Sequence, residues 1–531
     1  MLFTSYGFLG FLLLLIPLYY LIPKRGQWIL LLGGSYLFYF LAGPDYLLYI
    51  LTTTVTTWYA AGRIEDNARA ASACLKEHKE DWDKEERKAY KEGQKARRLQ
   101  WFLGCLLLNL GILAVVKYTN FAIANVNGIL SLLGQTRRLP FLSLALPMGI
   151  SFYTFQAMGY LIDVYRGTAP AQRSLGRFAL FVSFFPQLIQ GPISRFGDLS
   201  QTLYGPHPFE RKTVAFGLQR MLWGYFKKLV IADRALVAVK TLMADPGSYQ
   251  GAYVLAIIII YSLELYADFT GGIDITIGVA QTLGIRLEEN FIRPYFSKSL
   301  KEYWRRWHIS MGTWFRDYIF YPASIAKPMQ RLTRWTKAHW GAWAGRRLPV
   351  YLASFLTWFA TGIWHGASWN FIVWALLNYV ILMVSEELEP LYARFYQRFP
   401  QVEGKWLWRL FQVGRTAMLV SCLKVFDCYP DVSVTFRMFA SLLTARNWSV
   451  LWDGSLLALG LTGLDYAILA LGIVLLSAVS LVQRTGSVRE KLTQKPYWLK
   501  FLLWYGLFLL VLLLGAYGVG YDASQFIYNQ F

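Results

Sequence analysis

Acidic residues are scarce in this 531-residue chain: 32 Asp and Glu stand against 53 Lys and Arg, a net charge of +21. From Tyr318 to Ser385 there is not one acid. With 55% hydrophobic and 17% aromatic content, this excess of base reads first as the Lys/Arg bias of cytoplasmic loops in a multi-pass membrane protein. No nucleic-acid surface is expected from it. The four cysteines (Cys74, Cys105, Cys422, Cys428) form no CxxC pair and no metal-like spacing, so no structural metal is expected. Cys422 and Cys428, six apart, say nothing about a disulfide. The chain has no GxGxxG after a strand, no Walker A loop and no GxSxG elbow, so ATP-driven transport and serine hydrolysis lack their usual signatures. No internal repeat or low-complexity segment is visible.

What the chain has is apolar runs, and a membrane span needs about 20 such residues. Candidates are 3–22, 28–43, 45–61, 101–117, 140–162, 177–193, 215–240, 251–284, 350–366, 369–385, 406–425, 454–482 and 499–520. Some are short or broken by Gly and Pro. The expectation is an all-α polytopic protein of about eleven spans, with re-entrant and interfacial helices that survive only when buried or lining a cavity. The first run has no basic n-region and no small-residue cleavage site, so it reads as a membrane helix. Lys24 and Arg25, the uncharged-to-acidic AGPDY (42–46) and the polar loop 62–100 alternate correctly with the N-terminus outside and 62–100 in the cytoplasm.

Residues 63–98 hold nine acids and eleven bases, which predicts a solvated helix or helical hairpin laced with mixed-sign pairs. His78 and Asp83 there match an HxxxxD acyltransferase pattern, but without the apolar acyl pocket that pattern needs. GPHPFE (205–210) and ADPGSYQG (244–251) read as loops.

The unusual residues concentrate in 181–379. In FVSFFPQLIQGPISRF (181–196), Pro186, Gln187, Gln190, Gly191 and Pro192 interrupt an apolar run. Glu264, Asp268 and Asp274 lie in or near a membrane segment where Gly271-Gly272 permits a break. These carboxylates fit ion coupling or, as the favoured reading, bonds to broken helix ends or arginines. If 297–317 is helical, Lys298, Glu302 and Arg306 share one face at i, i+4 spacing, while Trp304, His308, Met311 and Phe315 share another. The basic, Trp-rich 327–347 reads as a cytoplasmic interfacial segment, with docking of an acidic partner as a lesser reading. An ionisable group at membrane depth is a functional-site hypothesis by default. His365, in the almost uncharged run 357–379, is one. On a helix it shares a face with Ser354, Trp358 and Thr361, beside a hydroxyl and an aromatic wall. A neutral imidazole there can take a proton from a substrate hydroxyl. The bland reading of either histidine is a core group bonded to the backbone.

At these residues the chain resembles the membrane-bound O-acyltransferase family, in particular its alginate O-acetyltransferase-like subgroup. The likeness is carried by the opening MLFTSYGFLGFLLLLIPLYYLIP, by SFYTFQAMGYLIDVYRG, FFPQLIQGPISRF, ENFIRPYFSKSLKEYWRRWHISMGTWFRDYIF and GIWHGASWNFIVW, and by the ending GYDASQFIYNQF. WRRWH followed by WHG 57 residues later is the specific signature. One departure is DFTGGIDI where DFSGYSD-like text is usual. The resemblance implies a single membrane domain over 1–531 with a central tunnel and its catalytic core in 181–379. It implies His365 as general base and His308 as its assistant, with Trp304, Arg306, Trp364 and Asn370 as candidate substrate liners. It also implies a cytoplasmic acyl thioester donor (acetyl-CoA or acyl carrier protein), no tightly bound cofactor, and an exported or cell-wall polysaccharide acceptor. A separate extracytoplasmic acyltransferase partner and a bacterial cytoplasmic-membrane location follow in the same way. A lipid or protein acceptor is the alternative within the family. A proton-coupled transporter is the alternative outside it, and would need the repeat symmetry that is missing here.

Overall fold

The structure, a computed structural model, describes residues 2–429 and 431–517; the ending GYDASQFIYNQF lies outside the described residues. Among those described, the regular structure is helical, apart from one isolated antiparallel bridge between Phe291 and Trp307. The chain forms two compact units, residues 1–214 with 279–287, and residues 215–278 with 288–531.

In the first unit, an apolar helix Tyr6–Leu21 starts where the Ser5 hydroxyl accepts the Phe8 amide at 3.2 Å, the side-chain cap expected at a helix start. The charged insertion is a helical hairpin, as the sequence predicts. Helix Leu47–Glu77 turns at residues 78–83 into helix Lys84–Leu132. Asp83 and Glu86 form a reciprocal capping box, with bonds of 2.7 and 2.9 Å, so the new helix begins with its amides satisfied. Mixed-sign pairs are present: Glu65 meets Arg69 at 3.1 Å and Arg173 at 2.7 Å. His78 ends the first helix, stacked on Trp82. The interrupted run 181–196 is broken as expected, into helices Leu175–Ser183 and Phe185–Leu188 followed by buried non-helical chain. Side chains satisfy the backbone thus freed: Gln156 donates to the Phe181 carbonyl at 2.8 Å, and the Ser35 hydroxyl accepts the Phe185 amide at 3.2 Å.

In the second unit, Gly271-Gly272 does not break its helix, which runs unbroken over Tyr253–Thr282. Glycine there serves close approach instead. A Cβ on Gly224 would lie 2.7 Å from the Gly271 carbonyl, and one on Gly271 would lie 2.9 Å from the Gly224 carbonyl. A π-helical turn, Phe226–Ala232, sits beside this crossing. It carries Lys227 to Asp274 at 2.6 Å, and Lys228 to Asp268 at 2.5 Å and Asp233 at 2.8 Å. Arg220 completes the set, meeting Asp274 at 2.8 Å and Glu289 at 2.5 Å. Asp268 and Asp274 therefore do pair with cations, lysines more than arginine. Helix Lys327–His365 bends at Gly341 (φ 82°), and Trp335, Trp340 and Trp343 are exposed around the bend, as suits a membrane interface.

Five described helices are long and apolar enough to cross a membrane: Lys84–Leu132, Tyr253–Thr282, Trp369–Glu387, Gly463–Thr485 and Tyr497–Leu514. Tyr6–Leu21 and Val432–Thr444 are apolar but shorter. The expected count of eleven is not established by this measure.

Candidate active site

His308 does not lie on a continuous helix. The segment 297–317 is broken into Leu300–Trp304 and Ile309–Phe315, with His308 between them in the left-handed region (φ 47°, ψ 54°). The expected face of Trp304, His308, Met311 and Phe315 therefore does not form. The other expected face survives in part: Glu302 accepts from Arg306 at 2.5 Å and from the Lys298 amide at 2.7 Å.

A non-glycine residue with positive φ persists only when its surroundings hold it there, and Asn290 supplies that hold. Its carbonyl accepts the Ile309 amide at 3.0 Å. Its side-chain oxygen accepts the Ser310 amide at 2.9 Å and the Ser310 hydroxyl at 3.0 Å. With that oxygen occupied, the Asn290 amide nitrogen, 3.3 Å from His308 Nδ1, is the group placed to donate to it. That leaves the imidazole proton on Nε2. Phe269 stands edge-on to the His308 ring at 4.9 Å, and His308 is fully buried.

His365 is the last residue of its helix. Gly366 follows, where a Cβ would lie 2.3 Å from two carbons of the Phe371 ring, so a side chain fits only if that ring moves. Ser368 then caps helix Trp369–Glu387. Trp364 links the two histidines, its indole 5.0 Å from the His365 ring and 6.0 Å from the His308 ring. Trp374 closes edge-on against His365 at 4.8 Å. Thr361, the hydroxyl expected on the face of His365, donates to the Thr357 carbonyl of its own helix.

Half-buried rather than sealed, His365 enters a narrow cavity of about 40 Å³ shared with Trp304, Trp374, Asn378, Lys424 and Asp427. That space is close to one water's share of liquid volume, about 30 Å³, so an acyl group enters only if the aromatic lining moves. Asn378 holds the wall in place: its oxygen accepts from Trp304 Nε1 at 3.1 Å, and its nitrogen donates to the Trp374 carbonyl at 2.9 Å.

Of the residues expected from sequence, Trp304 and His365 line this cavity, and Trp364 lies between the histidines. Arg306 and Asn370 are not in the lining. Arg306 pairs with Glu302, and Asn370 binds the Tyr429 carbonyl. Sequence reasoning missed Asn290, Asn378, Lys424 and Asp427. Lys424 carried a signal, since it sits at the end of the apolar run 406–425, where a charge is costly, and Asp427 follows two residues past that run. The two asparagines carried none, since only the fold brings them to the histidines.

Residues 168–332 match the model of the membrane-bound O-acyltransferase family. A probable alginate O-acetylase of Azotobacter vinelandii is 32% identical over 91% of this chain and 85% of its own length. A peptidoglycan O-acetyltransferase of Helicobacter pylori is 31% identical over 57% of this chain and 58% of its own, and a teichoic acid D-alanyltransferase of Bacillus subtilis is 29% identical over 44% and 58%. With relatives of this extent, the chain belongs to the membrane-bound O-acyltransferase family and is a multi-pass O-acyltransferase.

Proposed function

We propose that this enzyme moves an acetyl group from a cytoplasmic thioester, acetyl-CoA or an acyl carrier protein, towards hydroxyls of an exported or cell-wall polysaccharide. We place it in a bacterial cytoplasmic membrane, N-terminus outside, with a separate extracytoplasmic acyltransferase completing the transfer. The observation that carries this reading is that His365, and not His308, opens onto the cavity. The relatives' names, a probable alginate O-acetylase and a peptidoglycan O-acetyltransferase, support the acyl group and the acceptor class.

His365 takes the proton of the hydroxyl that receives the acyl group here, the acceptor's own or that of a relay group which the partner unloads, and the freed oxygen attacks the thioester carbonyl carbon. Its place at a helix C-terminus, the negative end of the helix dipole, stabilises the imidazolium that forms. The Lys424 ammonium faces the same cavity and stabilises the developing oxyanion. On collapse the carbon–sulfur bond breaks, and the thiolate leaves with the proton from the imidazolium. Trp364 passes the orientation of His308 to His365.

Cells given isotope-labelled acetate test the acceptor. The expected result is base-releasable label in surface polysaccharide that disappears when the gene is deleted. Label lost instead from the lipid or protein fraction would move the acceptor to that class.

A further inference from the structure

A second cavity, about 730 Å³, opens in the second unit between the spans Gly463–Thr485 and Tyr497–Leu514. Its two ends differ in chemistry. One is apolar: Leu475 and Val479 on the first span face Leu503, Leu507 and Leu510 on the second. From Leu475 to Gln483 the groove runs eight residues along its helix, about 12 Å at 1.5 Å per residue. The other end, at the connection between the spans, is lined by Arg220, Arg293, Arg489, Gln483 and Ser487.

Charge at this mouth does not balance. Asp274 and Glu289 also line it, and both are taken by Arg220. Arg489 donates to the Phe216 carbonyl at 2.6 Å. Burial, and the nearby Arg220 charge after it, hold the Arg489 guanidinium below its ordinary range, as expected where cations crowd without enough anions. Arg293 is half-buried at a positive-φ position (φ 45°) and has no ion pair among the described residues. Three arginines against two carboxylates leave one positive charge to be met. The connection carries Arg489, Lys491 and Lys495 against Glu490 alone, and the span ends beside it add Arg484 and Lys500, which the positive-inside bias assigns to the cytoplasmic surface. Anionic lipids collect there, and basic pockets between spans hold their head groups.

We infer that this groove is a binding site for a monoanionic phospholipid, its phosphate between Arg293 and Arg489 and one acyl chain lying between the two spans. The site shares no lining residue with the His365 cavity and does not depend on the acyl-transfer reading. The full chain, purified in mild detergent, is moved into nanodiscs of phosphatidylcholine alone or with phosphatidylglycerol, and the thermal midpoint and the lipids retained in native mass spectrometry are read. Wild type should hold phosphatidylglycerol over phosphatidylcholine by tenfold or more and melt several degrees higher with it. Arg293→Gln should cut that preference to threefold or less, and Leu507→Trp, which fills the apolar end with the arginines intact, should lower retention of both lipids. Equal retention of the two lipids by wild type, or an unchanged preference in Arg293→Gln together with unchanged retention in Leu507→Trp, would overturn the assignment.

Discussion

The ammonium of Lys424 lies 3.7 Å from the centre of the Trp307 indole and donates to the Tyr295 hydroxyl at 2.9 Å, at the edge of the cavity that His365 enters. A cation so desolvated is held by the ring face and one hydrogen bond, in the lining of the cavity where the proposed transfer takes place. Lys424→Met should therefore lower the acyl-transfer rate about 10²-fold, in the range of a lost oxyanion donor, with protein levels retained. Lys424→Arg should recover part of the rate. Single-turnover kinetics on purified enzyme check both; a methionine variant at wild-type rate would remove Lys424 from the chemistry.

The Asn290 clamp gives a second expectation. Asn290→Ala strips two acceptor bonds from Ser310 and one partner from His308. Each buried group left unsatisfied costs about 1–3 kcal/mol. The thermal midpoint should fall, and kcat should fall with little change in KM, because a positioning residue is lost. Asn290→Asp should keep the Ser310 bonds but not the donation to His308, and so restore stability without restoring rate.

Buried charge offers a third test. Lys228 and Asp268 are each about 1% exposed and 2.5 Å apart. Removing one member of such a pair costs about 3–5 kcal/mol. Lys228→Met should lose membrane-resident protein, and Lys228→Met with Asp268→Asn should recover some of it. Specific activity per folded molecule should stay near wild type in both. A proton-coupled transporter would instead lose its coupling, so proton uptake into proteoliposomes separates the two accounts.

Gly366 should tolerate no side chain while Phe371 stands behind it. Gly366→Ala is expected to reduce activity at least tenfold, and adding Phe371→Leu should restore much of it. Failure of the second substitution to rescue would mean that Gly366 matters for another reason.

These tests fall on residues that the sequence revealed unequally. His365 and His308 were legible because an ionisable group in an apolar run is rare and costly, and the WRRWH and WHG texts set them in a family. The hairpin over 63–98 was legible from composition. The break at His308 was not, because it depends on Asn290, 18 residues earlier. Gly271-Gly272 misled for a similar reason: glycine reports either a bend or a close neighbour, and only the crossing with Gly224 decides which. Arg306 and Asn370 lie near the site in sequence, yet the chain turns them to Glu302 and Tyr429.

The central claim is that His365 takes the acceptor proton. The most direct measurement is the single-turnover rate of acyl transfer by purified wild type and His365→Gln, with His308→Gln alongside and thermal midpoints taken on all three. Loss of a general base costs about 10²–10⁴ in rate. The account predicts that loss in His365→Gln with the midpoint nearly unchanged, and a smaller loss in His308→Gln. A His365→Gln enzyme within threefold of wild type would contradict it.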